Sequence, residues 1–192
     1  TVVLDNAELT AGALTATANL GDLSIMSAEL DISDAAELTA KQSITATDAN
    51  LTSNSLTMTA VTGKLDGSRL TTTVTGQTSV QAGDSVTLDN AELTAGALTA
   101  TANLGDLSLK SAELDISGAA KLTAQDTITA TDANVTSNSL TMTAKTGSVE
   151  ASRLTATVAD QASVVAGDTV VLDNAELTAG ALTATANLGD LS

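Results

Sequence analysis

The feature that most constrains this chain is its near-perfect internal repetition. The stretch VLDNAELTAGALTATANLGDLS occupies positions 3–24 and returns unchanged at 171–192, while a copy lacking only the first Val occupies 88–108. Because Leu4, Leu88 and Leu172 are evenly spaced, the long period is 84 positions, and a half period of 42 is also visible. Such self-similarity is the signature of an array in which each unit packs mainly against its neighbours.

A shorter unit of about 21 residues lies inside each long copy. Its marker is the triplet Ala-x-Leu at positions 7–9, 28–30 and 49–51, followed by the related Ser-Arg-Leu at 68–70 and Ala-Glu-Leu at 91–93. The first residues of these triplets are 21, 21, 19 and 23 positions apart, and the same four spacings recur in the second half of the chain. The 192 residues therefore hold about nine units.

Each unit has the pattern of short β-strands. Apolar and hydroxyl residues alternate at positions 14–18, 44–47, 56–60 and 86–88, and this period of two marks a strand with one buried face. Turn-forming Gly, Asp and Asn residues separate the alternating stretches. Three short strands with their turns would use up one unit and close one coil.

The sequence therefore predicts an all-β fold, a parallel β-solenoid of about nine coils of about 21 residues. At ~4.8 Å between parallel strands, nine coils make a rod roughly 43 Å long. The expected organisation is one continuous solenoid made of a four-coil copy at 1–84, a four-coil copy at 85–168 and a partial copy at 169–192. The predicted inward residues of the first copy are Leu9, Leu14, Ala16, Leu23, Ile25, Leu30, Ile32, Leu38, Ile44, Leu51 and Leu56, with Thr72 as an inward polar exception.

Composition supports a narrow interior and limits the possible chemistry. The chain has no Phe, Tyr, Trp, Pro, Cys or His, and its apolar residues are Ala, Val, Leu, Ile and Met. Without His or Cys, acid–base mechanisms that use imidazole and mechanisms that use a thiol are excluded, and no activating base accompanies the many Ser residues. A net charge of −16 with only seven Lys and Arg argues against nucleic acid as a partner. We expect neither an enzyme nor a membrane-inserted protein.

The middle residue of the triplet is expected to face outward, so that stacked units would form a surface column. The column would read Glu8, Glu29, Asn50, Arg69, Glu92, Glu113, Asn134, Arg153 and Glu176. This alignment predicts that Arg69 pairs with Glu92, and Arg153 with Glu176, so that each pair helps to fix the register of the coils.

The same column brings like charges together at Glu8–Glu29 and at Glu92–Glu113. Ca²⁺ is the cation that such carboxylate pairs would suit. Exposed carboxylates are usually solvated, however, so free side chains are the expected state and no resident cofactor is predicted.

Outward Thr-x-Thr pairs raise the hypothesis of an ice-binding surface. The pairs are Thr15/Thr17, Thr57/Thr59, Thr99/Thr101, Thr141/Thr143 and Thr183/Thr185. The coils between them are expected to present Thr39/Lys41, Ser79/Gln81 and Thr123/Gln125, which would interrupt a hydroxyl lattice. Thr is in any case common on strands because it is β-branched.

Two family resemblances can be read from these units. LDNAELTAG at 4–12 followed by LTATA at 14–18, with their copies along the chain, resembles the filamentous haemagglutinin class of secreted β-solenoid exoproteins. The alternative is a pentapeptide-repeat coil, which AELTA–GALTA at 7–16 resembles, although that five-residue register breaks after two units.

The first resemblance implies a segment of a large extracellular or cell-surface protein, serving as a stalk, spacer or fibre body of an adhesin or filament. The alternative function is a binding module with a glycan- or cell-adhesive face. Neither end of the sequence has the pattern of a capping unit. We therefore expect continuation in a longer chain or end-to-end self-association, with the adhesive target left open.

Overall fold

Every strand of the chain pairs in parallel with a strand about one coil earlier or later. In the computed structural model, which describes all 192 residues, nine coils follow one another and no helix occurs. Coil 1 begins at Val2, coil 2 at Leu23 and coil 3 at Ile44, and the same step of 21 residues continues to coil 9 at Val170. The predicted class, coil number and coil length are confirmed. The pentapeptide alternative is wrong, because the coil has 21 residues and three straight runs.

The first straight run of each coil forms a nine-stranded parallel sheet, here called face A. Its strands are Val2–Asp5, Leu23–Met26, Ile44–Thr47, Leu65–Ser68, Val86–Asp89, Leu107–Lys110, Ile128–Thr131, Val149–Ser152 and Val170–Asp173.

The second and third runs of each coil form faces B and C of a second parallel sheet. In coils 1 to 3 they are separate strands, with face B made of Glu8–Ala11, Glu29–Ile32 and Asn50–Ser53, and face C of Leu14–Ala18, Ala35–Ala40 and Ser55–Ala60. From coil 4 onward one long strand spans both faces: Thr71–Ala82, Glu92–Ala102, Glu113–Ala124, Asn134–Ala144, Thr155–Ala166 and Glu176–Ala186.

The core is one column of apolar side chains that runs through the rod. It contains 54 buried residues and no aromatic ring, so its width is set by Ala, Val, Leu, Ile and Met. Nine of the eleven predicted inward residues are buried. Leu9 and Leu14 are half-buried and pack against the core, because coil 1 has a neighbouring coil on one side only.

The corner between faces B and C and the corner between face C and the next face A change in length from coil to coil, while every coil keeps 21 residues. On face C, the step from Leu14 to its partner Ala36 is one residue longer than the coil, and the step from Ala36 to its partner Leu56 is one residue shorter. This alternation continues to Leu182. Even-numbered coils hold one more residue between faces B and C and one fewer before the next face A. The half period of 42 seen in the sequence is thus a structural period of the corners.

The polar exception Thr72 is buried as predicted, and its neighbours explain why the core accepts it. Thr72 pairs with Leu51 of the preceding coil and with Leu93 of the following one, and it is 1% exposed. Two residues earlier, Leu70 is buried where the preceding coil has Ala49. Coil 4 thus has its Leu two positions earlier than coil 3 does, and the side-chain volume inside the coil is nearly conserved.

Each corner between faces A and B is made by a residue in the left-handed region of backbone space. These residues, with φ between 48° and 52°, are Asn6, Ser27, Asp48, Arg69, Asn90, Ser111, Asp132, Arg153 and Asn174. None is Gly, and the Ser and Arg residues bear the steric cost of this conformation without the tolerance that Asn and Asp have.

Substitution of Ser111 by Gly is therefore expected to stabilise the rod. Relief of the left-handed strain at φ 48° outweighs the entropy that Gly loses on folding, for a net gain of roughly 0.5 kcal/mol in the free energy of unfolding. The matched control is Ser108→Gly, which lies in the strand Leu107–Lys110 and is expected to lose roughly 0.5–1 kcal/mol. Urea unfolding of both variants checks the opposite signs, and a loss at Ser111 would contradict the prediction.

Candidate functional site

The three outer faces of the rod differ in charge. Face B is acidic and has no Lys or Arg among its outward strand residues, and its carboxylates are Glu8, Glu29, Asp31, Glu92, Glu113, Asp115 and Glu176. Face C presents two columns of outward residues in which the only charged side chains are Glu37 and Lys121. The overall charge of −16 is thus unevenly distributed around the rod.

The carboxylate pairs named as Ca²⁺ candidates are brought together by the fold. Glu8 is directly opposite Glu29, and Glu92 directly opposite Glu113. Around the second pair lies a surface depression lined by Glu92, Leu93, Thr94, Glu113 and Asp115. No group of three or more Asp or Glu residues is arranged to hold a metal ion. These side chains are exposed, and the fold gives each pair two carboxylates in register.

The predicted pairs Arg69–Glu92 and Arg153–Glu176 are wrong. The residue that stacks on Glu92 is Thr71, and the one that stacks on Glu176 is Thr155. Arg69 instead belongs to the left-handed corner column, where it lies one coil above Asp48. The triplet Ser-Arg-Leu aligns two residues away from Ala-x-Leu, because Leu70 of coil 4 fills the buried position that Ala49 fills in coil 3.

Each Arg makes a bidentate ion pair with the Asp one coil earlier. The Arg69 Nε donates to Asp48 Oδ1 at 2.5 Å and its Nη2 donates to Oδ2 at 2.6 Å, and Arg153 makes the same two bonds to Asp132. The sequence holds the signal for these partners, since Asp48 and Asp132 each precede an Arg by one coil of 21 residues. About half of each side chain remains exposed, so solvent screens both pairs.

These ion pairs shift the pKa values of their members. The hydrogen bonds from Arg69 are the main cause that holds the pKa of Asp48 below its ordinary value of 3.8, and the positive charge of Arg69 adds to it. The pKa of Arg69 is raised by the same hydrogen bonds, by the charge of Asp48 and, more weakly, by that of Asp89. Asp132 and Arg153 show the same shifts.

The outward columns of face C hold the predicted Thr pairs, but the coils between these pairs differ in part from the prediction. The coils between the Thr pairs present Glu37/Thr39, Ser79/Gln81, Lys121/Thr123 and Ser163/Val165, so two of the three expected intervening pairs were placed two residues too late. The third pair, Ser79/Gln81, lies where it was predicted. Fourteen of the eighteen outward positions carry Thr or Ser, and the four exceptions are Glu37, Gln81, Lys121 and Val165.

No protein-family model, curated protein or solved structure matches the chain. The structure also contains no helix of the length and apolarity needed to span a bilayer.

Replacement of Arg69 by Gln is expected to lower stability slightly near neutral pH and to leave it unchanged in acid. The depressed pKa of Asp48 means that the ion pair contributes stability above the ordinary carboxyl pKa of 3.8 and loses it as the pH falls through the lower folded value. Melting temperatures of wild type and R69Q, measured from neutral pH to strongly acidic pH, should therefore converge.

The control for this comparison is Lys64→Gln, which removes an exposed positive charge that forms no ion pair with a carboxylate. Its difference from wild type should not depend on the same acid range. Equal pH dependence in the two variants would show that the Arg69–Asp48 pair contributes nothing beyond general charge.

Proposed function

We propose that the chain is a stiff structural segment, a stalk, spacer or fibre body, of a large repetitive protein that works outside the cell or at its surface. The observation that supports this most is that one uninterrupted core of 54 residues runs through nine coils of constant length. Such a stack transmits load along its axis, because each coil is joined to the next by parallel main-chain hydrogen bonds on all three faces.

The lack of a loop inserted into any coil also supports a mechanical role. Corners alternate by one residue only, and no loop projects from the rod. The proposed family is the filamentous haemagglutinin class, on the units at 4–12 and 14–18 and their copies. In that class, continuation along the chain or end-to-end association would extend the fibre.

The alternative proposal is a binding module, with a glycan- or cell-adhesive face or an ice-binding array. The fourteen hydroxyls of face C are the observation in favour of the array. Ice-recrystallisation inhibition, glycan arrays and adhesion to intact cells separate this alternative from a plain spacer, since a spacer shows no specific saturable binding in any of them.

A stiff segment should lengthen in proportion to the number of its repeats. Proteins with two, four and eight copies of residues 85–168 are expected to appear in electron micrographs as straight rods that grow by about 19 Å per copy, four coils at ~4.8 Å each. Small-angle scattering gives the same increment in solution. Rods that bend at random, or a length that grows with the square root of copy number, would contradict the structural role.

A further inference from the structure

Face C differs from the rest of the rod in that it is nearly free of negative charge. Its two outward columns hold one carboxylate, Glu37, and one ammonium, Lys121, and their net charge is zero. The column on one side consists of Ala, Ser and Gln residues. The column on the other side adds Lys41 and Lys145 but no carboxylate. Two copies of a chain with a net charge of −16 would repel each other least through this face.

The two charges of face C occupy equivalent places in the long repeat. Glu37 lies in coil 2 between Thr15 and Thr57, and Lys121 lies four coils further on, between Thr99 and Thr141. Both belong to the same outward column and both are exposed. Reversal of the sign of this residue from one copy of the repeat to the next makes the column electrostatically self-complementary.

We propose that face C is a lateral docking surface for a second copy of this chain, with the two rods antiparallel and related by a two-fold axis through coil 4. The axis lies along the strand direction, so that coil 2 of one rod meets coil 6 of the other and each outward column meets itself. Glu37 of each chain then faces Lys121 of the other, which gives two identical ion pairs, as an isologous interface requires.

The remaining residues of the face match in the same arrangement. Coil 1 meets coil 7 and coil 3 meets coil 5, so that Thr pairs face Thr pairs in both combinations. Ser79 and Gln81 of coil 4 lie on the axis and face their own counterparts. The edge residues Lys41 and Lys145 meet Gln125 and Asn19, so no like charges are opposed.

No other placement of the axis matches the charges as well. With the axis at coil 5, Glu37 would face Ser163, and Lys121 would face Ser79. With the rods parallel, the first column of one would lie against the second column of the other, and Glu37 would not meet Lys121 directly. The charge pattern therefore specifies both the direction and the stagger of the two rods.

The area of this contact fits a weak dimer that strengthens when the repeat continues. Seven overlapping coils and strands of about five residues give a patch of roughly 34 Å by 17 Å, or about 1,100 Å² buried in total. This value lies at the low end for specific interfaces, and most of the patch is made of small hydroxyl and methyl groups. The interface goes beyond the proposed spacer role, since it binds rods side by side.

A charge-swap series tests the proposal directly. Sedimentation equilibrium of the whole chain should show a concentration-dependent dimer, and K121E or E37K should weaken it roughly tenfold or more, because each places two like-charged pairs in the interface. The double variant E37K/K121E should recover the wild-type affinity. Glu113→Lys on face B is the control and should leave the dimer intact.

A cross-linking experiment gives a second readout that does not depend on these charges. The chain has no Cys, so that a single Ser79→Cys on the two-fold axis should be joined to its counterpart by a short bis-maleimide that spans the ~10 Å between facing sheets, and Ser108→Cys on face A should not. A strictly monomeric chain, equal affinities across the charge series, or equal cross-linking of the two Cys variants would overturn the proposal. Binding of ice or glycans by face C without dimerisation would do so as well.

Discussion

The structure depends on the constraint that each coil closes in 21 residues. This closure places every residue of faces A and B next to its equivalent in the following coil. Most of the 145 main-chain hydrogen bonds therefore join one coil to the next. Because side chains alternate across a strand, a slip of one residue would turn every inward side chain outward. The alternating corners show how strictly the length is kept, since a residue added at one corner is removed at the next.

Closure also explains the composition of the core. A coil of three short runs encloses a narrow interior, which Ala, Val and Leu can fill and an aromatic ring would overfill. The exchange of Ala49 and Leu51 for Leu70 and Thr72 shows that the volume within one coil is conserved even when the order of its residues is not. The turn from face A to face B has a conformational cost, because in every coil one residue adopts a left-handed conformation with φ near 50°.

Much of this fold could be predicted from the sequence, because period-two alternation and a constant repeat length each point to stacked short strands. The positions of the inward residues followed directly. The two Arg residues could not be placed by a motif, because Ser68-Arg69-Leu70 resembles the Ala-x-Leu marker but stacks two positions away from it. Two of the face C pairs were displaced by two residues, because a shift of two positions leaves the period-two alternation of the sequence unchanged. Asp48 would have been found by counting one full coil back from Arg69.

The constancy of the coil is tested most directly by changing its length. Deletion of Asp34, which lies in the longer corner of coil 2, leaves that coil one residue short, and insertion of one Asn after Gln42 restores the full length at the opposite corner. If coil closure governs the fold, the deletion alone should lower the urea midpoint strongly and the compensated variant should recover most of the loss. A deletion variant as stable as the compensated one would show that the coils adjust their length freely, and would contradict this account.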